Sequence, residues 1–191
     1  MWDGVFAEFR RGFASSEAEI ARAESELGFR LPESYRSFCE ACGAGRTNDH
    51  FRIATPLPFE PIDLVTRANL IALSVSEAIR ALGANPDFAV QPVRFEIEGG
   101  DEAILERACF FGEGEDGAFL FWDVQGTGEY DIWVMGADLE SVRFGGETLV
   151  EFVRATQDAA IHSILGPGAV PLPSRFEGID EATLARSDRP A

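Results

Sequence analysis

The chain has 191 residues, 46% hydrophobic and 11% aromatic, which favours a domain with its own core and excludes disorder over most of its length. All 16 basic residues are Arg, and 33 Asp and Glu bring the formal charge to −17, so the chain repels nucleic acid and anionic membrane and attracts basic partners. Residues 1–13 hold no apolar signal core, no stretch reaches membrane-spanning length, and Cys39, Cys42 and Cys109 are too few for a disulfide scaffold, which together predict a cytoplasmic protein with reduced thiols.

Helix signals come first. Ser16 followed by Glu19 is a capping box, Ile20, Ala23 and Leu27 share one face beyond it, and Gly28 is a stop. A second helix is expected from Pro32, with Leu31, Tyr35, Phe38 and Cys42 on its apolar side and Gly43 and Gly45 ending it. Arg46 to Pro61 reads as a loop with a short strand at Phe51 to Ala54, because Pro56, Pro58 and Pro61 exclude a helix. Ser74 with Glu77 predicts the start of another short helix ending by Gly83, and Asn85-Pro86 a turn.

Alternation then predicts sheet. Val93 to Glu98 alternates apolar and charged residues. Ala108 to Phe111 and Ala118 to Asp123 flank a Gly-rich turn, and Gly126-Thr127-Gly128 leads to a strand at Asp131 to Met135. Thr148 with Glu151 caps a last helix whose apolar face holds Leu149, Phe152, Val153, Ala160, Ile161 and Ile164, stopped at Gly166-Pro167. The expected fold is α+β, with an antiparallel sheet of about four to six strands packed on N-terminal and C-terminal helices. One domain spans 1–166. Residues 167–191 are a Pro-rich extension that drapes over it or is partly mobile, with one weak helical patch near Asp180 to Arg186.

Catalytic motifs are weak. Gly112, Gly114 and Gly117 spell G-x-G-x-x-G, but a strand follows where a dinucleotide site needs a helix, and Glu113, Glu115 and Asp116 repel phosphate. Those three acids lack EF-hand spacing. Cys39 and Cys42 form C-x-x-C late in a helix, where buried thiols are commoner than a redox pair, and no second pair completes a zinc site. His50 and His162 have no nucleophile signature beside them. Paired carboxylates could run glycoside hydrolysis, yet with 33 acids some pair is always close. The reading is therefore non-enzymatic, without cofactor or metal.

Charge is unevenly placed. Residues 1–95 hold 13 acids and 10 Arg, and residues 132–191 hold 9 acids and 5 Arg. Residues 96–131 hold 11 acids and one Arg, a net of −10. If the turns of this segment share an edge, they make a concentrated negative surface. The expected partner contacts are Glu96, Glu98, Asp101, Glu102, Glu113, Glu115, Asp116, Glu129 and Asp131. Tight binding also needs aromatic anchors, for which Phe119, Trp122, Tyr130 and Trp133 are the candidates.

Ile20 to Gly45 reads I-A-R-A-E-S-E-L-G-F-R-L-P-E-S-Y-R-S-F-C-E-A-C-G-A-G. With Glu24, Leu27, Gly28, Leu31, Pro32, Tyr35, Phe38 and Gly43 at their spacing, it resembles the opening of the SUKH superfamily, the cell-wall-assembly-regulator-like domains. Phe110 to Gly112, Asp116 to Asp123 and Leu149 to Phe152 look like its central hairpin and closing helix, so the resemblance covers about residues 15 to 165. Residues 51–100 and the tail after Gly166 depart from the pattern. The resemblance implies a bacterial immunity protein that neutralises a toxin, often a nuclease, or else a regulatory or scaffold interaction module; it supplies no catalytic residue. A basic toxin partner agrees with the acidic segment, because a nuclease holds a phosphate backbone on a basic face.

Overall fold

A computed structural model of the chain describes residues 2–84, 96–139 and 141–187. Strand β1 (Glu8–Arg10) precedes the helices. Helix α1 (Glu17–Leu27) starts at the expected capping box: the Glu19 N–H donates to Ser16 Oγ at 3.3 Å, and the Ser16 N–H donates to Glu19 Oε2 at 2.7 Å. Helix α2 (Glu33–Ala41) takes Pro32 as its N-cap, and Leu31, Tyr35, Phe38 and Cys42 are all buried, as their spacing requires.

In the next segment, expected as a loop over Arg46 to Pro61 with a strand at Phe51 to Ala54, that strand is present, but the loop before it also holds a strand. Strands β2 (Gly45–Thr47) and β3 (Phe51–Ile53) pair antiparallel around Asn48 and Asp49, whose φ of 55° and 53° make the turn. The helix expected to start at Ser74 starts earlier. Helix α3 (Leu64–Ala84) has 21 residues, and Ser74 and Glu77 sit on its exposed side. Leu64, Ala68, Ile71 and Val75 carry one apolar stripe straight through the expected start. Asp63 provides the true one, its Oδ2 accepting from the Val65 N–H at 3.2 Å.

Asn85-Pro86 and Val93 to Phe95 lie outside the described residues. Strand β4 (Glu96–Ile97) follows them, then 3-10 turns at Glu98–Gly100 and Glu102–Arg107. Strands β5 (Ala108–Gly114), β6 (Phe119–Asp123) and β7 (Ile132–Met135) form the expected meander, and β8 (Ser141–Gly146) extends it. The last helix is broken in two, α4 (Leu149–Ala155) and α5 (Ile161–Ile164). Buried Asn48 donates to the Val153 carbonyl at 3.0 Å and to Thr156 Oγ1 at 2.9 Å, so the end of α4 is fixed by a side chain from the β2–β3 turn. After it come β9 (Arg175–Gly178) and α6 (Glu181–Ser187).

The fold is α+β, but the sheet is larger than expected and mixed. Among the described residues it has nine strands in the order β1-β9-β2-β3-β5-β6-β7-β8-β4. Its inner pairs are antiparallel, while β1–β9 and β4–β8, at the two edges, are parallel. The extension thus supplies a strand inside the sheet. That close fit needs glycine: Gly178 pairs with Gly45, and a Cβ on Gly178 would overlap the backbone of Arg10 to Gly12.

One sheet face packs on α1, α2 and α4. There Trp122 stacks on Phe111 at 4.0 Å between ring centroids, and Tyr35 meets Trp122 edge-on at 4.8 Å. The other face is half covered. Helix α3 lays Ile71 and Val75 on Phe110, Phe121, Met135 and Val142.

Candidate functional site

Antiparallel neighbours put successive turns at opposite ends of a sheet, and this divides the acids of residues 96–131 into three places. Glu113, Glu115 and Asp116 lie at the β5–β6 turn. Asp101, Glu129 and Asp131 lie around the β6–β7 turn at the other end, with Asp123. Glu98 lies beside the far edge, where its Oε2 accepts from the Phe144 N–H at 2.9 Å. Glu96 and Glu102 are placed by their backbones, in β4 and in the 3-10 turn after Asp101, and their side chains fall outside those described.

Basic residues that the local sequence does not contain stand against the β5–β6 group. Arg67 Nη2 donates to Glu113 Oε2 at 2.6 Å. Arg52 Nη2 donates to Glu115 Oε1 at 3.2 Å. His50 Nε2 stands 3.2 Å from Asp116 Oδ1, and together with the Ala118 N–H it holds the Asp116 carboxyl below the usual carboxylate range.

The β6–β7 end keeps its negative charge. Arg107 grips Asp123 through Nε at 2.5 Å and Nη2 at 2.9 Å, and reaches Asp101 at 3.1 Å. That guanidinium, helped by the Ala103 N–H, lowers the Asp101 pKa. Asp131 is shifted the other way: burial, then the charge of Asp123, raises its pKa. Glu129 has a structural bond as well, accepting from both the N–H and the Oγ of Ser34 at 2.7 Å. Of the four aromatic candidates, Trp122 and Tyr130 are buried in the core, and Phe119 and Trp133 are half-buried on the α3 face.

That second face carries a row of directly opposed residues, one from each of the nine strands. It runs Arg10, Glu177, Arg46, Arg52, Glu113, and then Phe119, Met135, Val142, Ile97. The apolar half lies under α3. The charged half lies along a groove of about 570 Å³, which is also lined by Arg67, Ile62, Leu57 and Leu184 of α6, the last two packed together in one buried apolar cluster. Sequence reasoning missed this groove because its four arginines lie in four separate segments, each near an acid of similar spacing.

The C-x-x-C pair lies in the core. Cys39 and Cys42 are fully buried, and burial pushes both thiols up to about 12, as it does Cys109. No His, Cys, Asp and Glu cluster with metal-ligand geometry occurs among the described residues, and none of the described helices is long and apolar enough to cross a membrane.

No individual curated protein matches the chain. A family model does match, over residues 14–155, which takes in α1 to α4 and the strands between them. The buried Leu31, Tyr35 and Phe38 of α2, the hairpin of β5 and β6 and the closing helix all lie within that span, and on it the chain belongs to the SMI1/KNR4 family (SUKH-1).

Proposed function

We propose that this chain is a non-catalytic protein-binding domain of the bacterial immunity type, acting in the cytoplasm by covering the basic face of a cognate toxin, with a nuclease as the toxin that fits best. Membership of the SMI1/KNR4 family supports a non-catalytic or immunity-like domain in general. The observation that carries the finer reading is the β6–β7 end, where Arg107 pairs with Asp101 and Asp123 while Glu129 and Asp131 have no ion pair among the described residues. An uncompensated acidic surface steers a basic partner and speeds its encounter. Asp123 is held in a bidentate grip, so it is a poor candidate for acid–base work, which favours binding over hydrolysis.

Glu102 follows Asp101 at that end, Glu98 and Glu96 continue along the β8 edge away from it, and Glu113 and Glu115 contribute less because Arg67 and Arg52 pair with them. Co-expression with a toxin encoded beside this gene is the direct test. Protection of the host and a stable complex are expected. A toxin that kills regardless, or capture of a housekeeping protein instead, would replace this proposal with a regulatory module. In the complex, neutralising Asp101 and Asp131 together should slow association several-fold at low salt and flatten its salt dependence. Reversing Glu113, Glu115 and Asp116 should slow it less.

A further inference from the structure

Arg46 and Arg52 stand directly opposite each other on adjacent strands. Like charges so placed destabilise a sheet unless an anion lies between them, and a broken local rule of this kind is what binding sites show. In the chain alone a carboxylate from the β5–β6 turn fills the role. Glu115 Oε1 lies 3.2 Å from Arg52 Nη2 and 3.9 Å from Arg46 Nη1. All three side chains are 39–69% exposed, so this internal pairing is weak and readily exchanged.

An independent observation lies in the lining of the same groove. Thr55 lines it, is 1% exposed, and has a buried Oγ1 without a hydrogen-bond partner. A buried hydroxyl in that state is a donor waiting for an acceptor. The groove crosses the five strands from β1 to β5, about 19 Å at the usual strand spacing, the length of five or six extended residues. Half-buried Ala54, Ile62 and Ile179 line it as well and suit aliphatic side chains.

We infer that this groove binds an extended, acidic segment of a protein partner, with a Glu or Asp side chain of that segment clamped between Arg46 and Arg52 in place of Glu115. Polyphosphate fits worse, because its denser charge meets Glu113, Glu177 and Asp180 in the lining and it has no aliphatic groups for Ala54, Ile62 and Ile179. Arg10, Glu177 and Leu184 lie outside residues 14–155, so parts beyond the matched family domain complete the groove. The site is separate from the acidic β6–β7 end and stands or falls without it.

Fluorescence anisotropy on the full chain tests this with three labelled probes: a hexapeptide alternating Glu and Leu, its Lys and Leu counterpart, and a single-stranded hexathymidylate. The Glu–Leu peptide should bind and the others should not. Arg46→Gln and Arg52→Gln should each weaken binding about tenfold, as loss of a charge-assisted bidentate contact does. Thr55→Val should weaken it less, and melting curves of each variant show that the chain still folds. Glu115→Gln should tighten binding, whereas Glu151→Gln, the same charge change on α4, should leave it unmoved. Absence of binding at millimolar peptide overturns the inference. So does tighter binding of the Lys–Leu peptide or of hexathymidylate, indifference to both Arg variants, or an equal response to Glu115→Gln and Glu151→Gln.

Discussion

At Ser34 three distant parts of the chain meet. Its N–H and hydroxyl both donate to Glu129, 95 positions away, and its Oγ accepts from the Leu149 N–H at the start of α4 at 3.1 Å. The free N–H groups of the first turn of α2 are thereby capped from the β6–β7 turn, because Pro32 has no side-chain oxygen to do it. Glu129→Ala should therefore cost about 1–2 kcal/mol, seen as a lower urea midpoint at unchanged m-value, with Glu129→Gln losing less. Asp131 makes the opposite case. A carboxyl with a raised pKa in the folded state opposes folding once it ionises, so its penalty is present at neutral pH and fades as pH falls through the folded value. Asp131→Asn should raise stability at pH 7, and urea melts should show that gain shrinking towards pH 4. The acids themselves were legible in the sequence as a net of −10 over residues 96–131. Their pairing was not, since Arg67, Arg52 and His50 come from elements far from Glu113 in the chain.

Elements with local signals were readable, and those defined by distant partners were not. Ser16, Glu19 and Gly28 specify α1 without help from any other segment. The same capping rule misled at Ser74 and Glu77, because it ignored the stripe from Leu64 that continues through them. Strand β9 has the weakest local signal of all. Four residues after a proline-rich run show little alternation, and its pairing with β1 joins positions 167 apart, as in the Arg175–Glu8 ion pair at 2.6 Å. Phe176 nevertheless sits in the core, 1% exposed, edge-on to Phe38 at 5.6 Å. Phe176→Ala should cost about 3–5 kcal/mol, measured by chemical denaturation. A tail that merely lay on the surface would lose almost nothing. Gly178→Ala should be as damaging, since its Cβ has no room beside Gly12.

The whole molecule sorts its charge by place rather than by sequence segment. One sheet face is buried, the other is divided between an apolar half under α3 and a charged half in the groove, and the β6–β7 end is left negative. With a formal charge of −17, self-repulsion opposes the folded state. Raising salt from low to physiological ionic strength should lift the melting temperature, a scan that calorimetry can follow. The position of β9 has a further consequence, for synthesis. Strand β2 leaves the ribosome well before the neighbour that covers its open edge, residues 175–178, which is made after all the other strands. Until then β2 and β3 end in an unpaired edge, β1 has nothing to pair with, and the Phe176 slot above Phe38 stands empty. Helices α1 and α2 and the β5–β7 meander can form as they are translated, whereas the arginine groove cannot exist before β9 and α6 have been made.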